Sequence, residues 1–277
     1  MGVLDDILSH KRSELAGRRA RRPLGALESD CRGLPAALDF EGALRPRSGQ
    51  RVRLIAEVKK ASPSQGVIKS DLDPVTQARA YAEAGAAAVS VLTDERYFRG
   101  SLDDLVAVRR QVPVPVLRKD FVVDEYQLFE ARAWGADAVL LIVAALEQPG
   151  MVRLQARARE LGLAALVEVH DEGELARAID AGARIVGVNN RNLRTLEVDV
   201  DASYRLAARM PRDVVAVSES GLQSQSDLQR LASVGYRAFL IGERFITDPD
   251  PAGAIENLIG IGEPGSGIRE GRGVRCS

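Results

Sequence analysis

Eight short apolar runs, each followed by residues of helical periodicity, constrain this chain more than any other feature. The runs break off at Glu57-Val58-Lys59, Thr93-Asp94, Arg118-Lys119-Asp120, Val143-Ala144, Glu168-Val169-His170, Asn189-Asn190-Arg191, Ser218-Glu219-Ser220-Gly221 and Gly242-Glu243. They read as buried strands over 53–58, 87–92, 115–119, 137–143, 164–169, 184–189, 213–218 and 238–242. Helices are expected near 74–84, 102–111, 124–134, 147–161, 171–181, 201–209, 223–234 and 251–259. Such alternation implies an α/β chain whose strands pair in parallel through crossovers. Eight units in 277 residues fit one (β/α)8 TIM barrel. A parallel barrel gathers all its strand C-termini on one face, so the polar residues ending the runs would meet there.

Residues 3–18 have helical spacing, with Val3, Leu4, Ile7, Leu8 and Leu15 on one face and Lys11, Arg12 and Arg18 largely off it. A second short helix is expected over 33–43, and Arg45-Pro46-Arg47-Ser48-Gly49-Gln50 is a turn-rich approach to the first strand. Residues 1–48 thus form an N-terminal helical extension, a lid or plug, within a single unit of residues 1–260. Residues 261–277 are rich in Gly and Arg and are expected to be a flexible tail. Gly85, Gly135, Gly182 and Gly235 each fall between a helix and a strand, where a left-handed C-cap suits glycine.

A net charge of −1 argues against a nucleic-acid partner. No run approaches a membrane span and the N-terminus has no apolar signal core, so a cytoplasmic protein is expected. Cys31 and Cys276 fit neither a disulfide framework nor a metal site, and no His/Cys/Asp cluster has ligand spacing, so no metal is expected.

Glu57 and Lys59 lie two apart on a strand and share a side. Burying both is costly unless they pair or hold a ligand. Lys119 and Phe121 repeat the spacing, an amine beside an aromatic wall. Glu168 ends an apolar strand, where burial would raise its pKa toward neutrality. Lys119, close to Lys59 and Arg191, is expected to lose its proton more easily. Each of these groups alone also fits a structural ion pair at a barrel rim. Lys59, Lys119, Glu168 and Arg191, together at the same end of different strands, favour a site. Ser220-Gly221 and Gly242-Glu243 follow the seventh and eighth strands, where barrels often hold phosphate on glycine turns. Ser62-Pro63-Ser64-Gln65-Gly66 reads as a substrate loop or an ordinary surface loop. His170 reads as a hydrogen-bonded rim residue or a catalytic one.

The motifs resemble those of indole-3-glycerol phosphate synthases, in order and over roughly residues 3–259. They are Glu57-Val58-Lys59-Lys60-Ala61-Ser62-Pro63-Ser64, Leu92-Thr93-Asp94 with Tyr97-Phe98-Arg99-Gly100-Ser101, Leu117-Arg118-Lys119-Asp120-Phe121, Leu166-Val167-Glu168-Val169, Val188-Asn189-Asn190-Arg191-Asn192-Leu193 and Ser218-Glu219-Ser220-Gly221. The resemblance implies a cofactor-free ring closure with decarboxylation and dehydration, in tryptophan biosynthesis. It implies Lys119 as general acid and Glu168 as general base. Lys59 would hold anionic groups, Glu57 would tune the lysines, and Asn189 and Arg191 would fix the sugar and the developing charge. Ser62 would contact the anthranilate carboxylate, Phe98 and Phe121 would wall the ring, and Ser220, Gly221, Gly242 and Glu243 would bind phosphate. Arg244 stands where a small residue is expected. The partner implied is a small phosphorylated molecule, and the chain is expected to be a monomer or weak homo-oligomer. The competing readings are a phosphoribosylanthranilate isomerase-like barrel and a non-catalytic phosphometabolite-binding barrel.

Overall fold

The structure is a computed structural model that describes residues 2–46 and 52–260. Its eight principal strands are Arg53–Val58, Ala88–Leu92, Val116–Lys119, Ala138–Ile142, Ala164–Val169, Ile185–Asn189, Val215–Glu219 and Ala238–Ile241. They pair in parallel in chain order, and the first meets the last to close a barrel. The expected strands are therefore present, with bounds moved by a residue or two. The crossover helices Pro74–Glu83, Leu102–Arg109, Glu125–Ala133, Gln148–Glu160, Glu172–Asp180, Asp201–Ala207 and Gln225–Ser233 follow the first seven strands, and Pro251–Ile259 ends the described chain. Several begin on a side chain that accepts an orphan backbone N–H, as Asp73, Asp124, Asp171 and Ser224 do.

Alternation along the strands splits the core in two. Leu54, Val89, Val139, Val167, Val186 and Phe239 face outward onto the helices. Ile55, Leu117, Leu140, Leu166, Val217 and Leu240 fill the barrel interior. Glu57, Lys119, Glu168 and Glu219 continue that inward series by steps of two, so strand geometry alone aims them into the mouth. The glycines after the helices have positive φ, as at Gly85 (94°) and Gly182 (79°).

The N-terminal extension departs from expectation. Its first helix runs Val3–Arg21, but the next spans Leu24–Cys31, and in place of the expected 33–43 helix there is only a short one, Phe40–Leu44. Gly33 is left-handed (φ 76°) and Pro35 disfavours helical backbone at Leu34; helix resumes only where Asp39 accepts the N–H of Gly42. Phe40 and Leu44 join the interior cluster, and neighbouring contacts (Leu38 N–H to Asp137, Arg184 to Glu41) lie at strand beginnings, so this segment plugs the far end. Leu4, Ile7 and Leu8 pack on the barrel interior and Leu15 on Leu27, Tyr126 and Phe129.

Lys11 and Arg18, expected off the packed face, are buried. Lys11 Nζ lies 2.8 Å from Asp94, 2.9 Å from Asp120 and 2.9 Å from Glu14. Arg18 reaches Glu130 at 3.0 Å, and Glu130 also pairs with Arg118 at 2.8 Å. Arg118, fully buried, closes the network on Asp120 at 3.0 Å. Helical periodicity weighs only polarity, whereas both side chains are buried with their head groups on carboxylates.

Residues 47–50 of the expected turn, Cys276 and the segment 261–277 lie outside the described residues. Among the described residues, no helix is long and apolar enough to cross a membrane.

Candidate active site

The strand C-termini open into a cavity of 840 Å³. Glu57, Lys59, Ser62, Phe98, Lys119, Phe121, Glu168, Asn189, Arg191, Ser220, Gly221, Gly242 and Glu243, the residues to which the resemblance gives a role, all line it, and His170 does not. Val3, Leu4 and Ile7 of the first helix line it too, so the extension forms part of its wall.

The floor is a chain of opposite charges. Lys59 Nζ is 3.0 Å from Glu57 Oε1, Lys119 Nζ is 3.1 Å from Glu57 Oε2, and Lys119 is 3.0 Å from Glu219 Oε2. Burial opposes the charge on Glu57, but Lys119 and Lys59 outweigh it and bring its pKa down to about 2. The expectation that Lys119 loses its proton easily is corrected. Burial pulls its pKa down, but Glu219, Glu57 and Glu168 more than compensate, and the net direction is upward. Lys59 is already paired with Glu57, and Arg191 turns away to the carbonyl of Leu196 (3.0 Å) and toward Glu243 (3.6 Å). Lys119 is thus an ammonium held among carboxylates, a proton donor rather than a base.

The buried carboxyl pushed upward is that of Glu219, to about 7, by burial first and then by Glu168 and Glu57 against the pull of Lys119. Glu219 stands within the Ser218-Glu219-Ser220-Gly221 motif, to which no role for this carboxyl attaches from the sequence. The signal was present, because Val215, Val217 and Glu219 step inward by twos. Room for its head group comes from Gly187 on the neighbouring strand: a Cβ there would lie 2.2 Å from Glu219 Oε1. Gly187→Ala is therefore expected to swing Glu219 off Lys119 and to lower kcat by about 10- to 100-fold, the scale of an ångström-sized misplacement. Steady-state kinetics check this; an unchanged kcat would mean that Glu219 does not set Lys119.

Around this floor stand the walls. Phe98 and Phe121 form a tilted ring pair with centroids 6.1 Å apart. Asn189 Oδ1 accepts from Ser220 Oγ at 2.9 Å and from the Arg191 N–H at 3.0 Å. Ser220 and Gly221 are consecutive left-handed residues (φ 67° and 76°), which turns the chain sharply at the cavity edge. Gly242 passes so near the first strand that a Cβ would meet Glu57 Cβ at 2.8 Å. The segment after the first strand is built as an antiparallel hairpin, Ala61–Ser62 with Gly66–Val67, and Gln65 reaches Glu243 across the mouth. Arg244 is half-buried and lines the cavity beside Glu243. Among the described residues, no group of three His, Cys, Asp or Glu is placed to hold a metal ion.

A closed parallel barrel with an ammonium among carboxylates, an aromatic wall and glycine turns after its last two strands defines the class of barrel enzymes that do acid–base chemistry on small anions. Comparison with known proteins narrows the class. The family model for indole-3-glycerol phosphate synthase matches residues 4–258. An indole-3-glycerol phosphate synthase of Kineococcus radiotolerans is 52% identical over 264 residues, covering 95% of this chain and 96% of its own. Indole-3-glycerol phosphate synthase 1 of Streptomyces coelicolor is 50% identical over 272 residues, covering 98% and 100%. Among solved structures, thiamine phosphate pyrophosphorylase of Pyrococcus furiosus superposes with a TM-score of 0.58 at 16% identity, covering 78% of this chain and 97% of that one, a likeness of fold alone. The chain belongs to the indole-3-glycerol phosphate synthase family.

Proposed function

We propose that the cavity carries out the family's reaction with Lys119 as general acid and Glu168 as general base. The reaction is the conversion of 1-(2-carboxyphenylamino)-1-deoxyribulose 5-phosphate to indole-3-glycerol phosphate, CO2 and water, a carbon–carbon lyase step of tryptophan biosynthesis. The observation that carries the assignment is the Lys119 ammonium, held at 3.0–3.1 Å by Glu219 and Glu57 in the same cavity as Glu168. As the ring carbon bearing the carboxylate attacks the ketone carbon, Lys119 gives a proton to the ketone oxygen. The C–COO⁻ bond then breaks, CO2 leaves, and its electron pair restores the aromatic ring. Lys59 gives the new hydroxyl a proton so that it departs as water, and Glu168 removes a proton from the adjacent methylene carbon, whose electron pair forms the new ring double bond.

Lys59 neutralises the substrate's anionic groups and Glu57 fixes both lysines. Asn189 and Arg191 hold the sugar hydroxyls. Ser62 meets the anthranilate carboxylate, and Phe98 and Phe121 wall its ring. Ser220, Gly221, Gly242 and Glu243 receive the phosphate, chiefly through backbone N–H groups. Holding the ring over the carbonyl supplies much of the rate.

The unit is the barrel with its extension, residues 1–260, which the family match nearly spans. The assigned side chains converge in one cavity at the strand C-termini, which accords with a monomer or weak homo-oligomer. A net charge of −1 supports the absence of a nucleic-acid partner, and the two cysteines in 277 residues accord with a cytoplasmic enzyme.

The isomerase reading calls for a Cys/Asp or Asp/Asp pair at the first and fifth strands, where this chain has Glu57, Lys59 and Glu168. An assay of both substrates tests the assignment. Formation of indole-3-glycerol phosphate is expected; turnover of phosphoribosylanthranilate with no indole product would overturn it.

A further inference from the structure

His170 is one of only two histidines in the sequence, and the chemistry above leaves it unused. It directly follows the fifth strand, two positions after Glu168, and its ring lies beside that carboxylate. Its backbone N–H and its Nδ1 both meet Glu174 Oε2, at 2.8 and 3.0 Å. Glu174 lies in the first turn of helix Glu172–Asp180, and its own N–H donates to Asp171 at 2.8 Å, so the imidazole is anchored to the start of that helix. The other ring nitrogen, Nε2, is buried without a hydrogen-bond partner among the described residues and lies 3.5 Å from Glu168 Oε1.

This geometry selects a protonation state. A ring nitrogen bonded to a carboxylate oxygen carries a proton. At Nε2, a bare lone pair facing a second carboxylate is repulsive, whereas an N–H is attractive. The favoured ring is protonated on both nitrogens, a cation between two carboxylates. We propose that His170 is a positioning residue for the base: anchored on Glu174 as an imidazolium, it aims its Nε2–H at Glu168 and keeps that carboxylate ionised for proton abstraction. The proposal rests on the reading of Glu168 as general base.

The charged groups around the ring are Glu168 near the end of the fifth strand, Glu174 on the following helix and Glu219 on the seventh strand. Lys119, from the third strand, is a second cation within electrostatic reach of Glu168. Burial pulls the imidazole pKa down, but the bond to Glu174 and the charges of Glu168, Glu174 and Glu219 outweigh it and raise it above the ordinary value. A rim histidine with a merely structural role would leave the ionisation of Glu168 unchanged.

The test is the pH profile of the single-turnover rate in wild type, H170Q, E174Q and E168Q, with NMR titration of the imidazoles. The His170 signal is assigned by its loss in H170Q. In wild type that ring is expected to titrate above an ordinary histidine, and lower in E168Q and in E174Q. In H170Q the acid limb is expected to move up by about one pH unit, so that the rate below it falls about tenfold while the plateau changes by less than about threefold. A limb that superimposes on wild type, or a uniform fall at every pH, overturns the proposal. Should H170Q fail to fold, E174Q decides by the same limb, since it keeps the ring and removes its anchoring charge. An E168Q enzyme with wild-type turnover sinks the reading of Glu168 as base; an inactive E168Q with unmoved limbs in H170Q and E174Q sinks only the role of His170.

Discussion

Lys119→Ala is expected to lower turnover about 100-fold or more, with the barrel still folded. The ammonium is the group best placed to give a proton, because Glu57 and Glu219 hold it at 3.1 and 3.0 Å and raise its pKa. Its loss removes an interaction that matters most as charge develops on the ketone oxygen, so kcat should carry the effect more than KM. Phosphate affinity should survive, since the glycine turns at Gly221 and Gly242 belong to other strands. Steady-state kinetics beside a far-ultraviolet circular dichroism spectrum make the measurement. A mutant as fast as wild type would remove Lys119 from the mechanism and leave a barrel that binds phosphometabolites without Lys119-driven turnover.

Lys11→Met is expected to destabilise the fold by about 3–5 kcal/mol, the usual cost of removing one partner from a buried ionic cluster. Lys11 is 1% exposed and meets Asp94, Asp120 and Glu14 at 2.8–2.9 Å. Methionine fills much of the same space but leaves Asp94 buried without its cation, while Asp120 keeps Arg118 and Glu14 keeps Arg18. The effect should reach the site as well. Asp94 accepts the N–H of Tyr97 and so starts the helical turn that carries Phe98, and Asp120 accepts the N–H of Phe121 beside Lys119. Urea unfolding measures the loss. A change below about 1 kcal/mol would mean that apolar packing of Leu4, Ile7, Leu8 and Leu15 docks the helix without help from the cluster.

The barrel was legible because each strand is a nearly unbroken apolar run that a polar pair terminates, and because the strand C-termini must share one face. That rule placed Lys59, Lys119, Glu168 and Arg191 together without reference to any side-chain contact. Which charge meets which was not legible. Lys119 was expected to feel Lys59 and Arg191, but strand register sets Glu57 and Glu219 around it, and register does not follow from a run's composition. The role of Glu219 is masked in the sequence by the glycine turn that follows it, although its step of two from Val217 points it inward. Lys11 and Arg18 were misplaced because helical periodicity weighs polarity and cannot see the carboxylates of Asp94, Asp120 and Glu130, which arrive from distant turns. The helix Leu24–Cys31 is not legible in the sequence, because it buries only Leu27 and so carries little periodic signal.

A crystal structure with a substrate analogue whose ketone is reduced to the alcohol tests the central claim most directly. The analogue's hydroxyl is expected within hydrogen-bond distance of Lys119 Nζ, its carboxyphenyl ring between Phe98 and Phe121, and its phosphate on the turns at Gly221 and Gly242. A phosphate seated elsewhere, or a hydroxyl out of reach of Lys119 with that lysine still clasped by Glu57 and Glu219, would contradict the account.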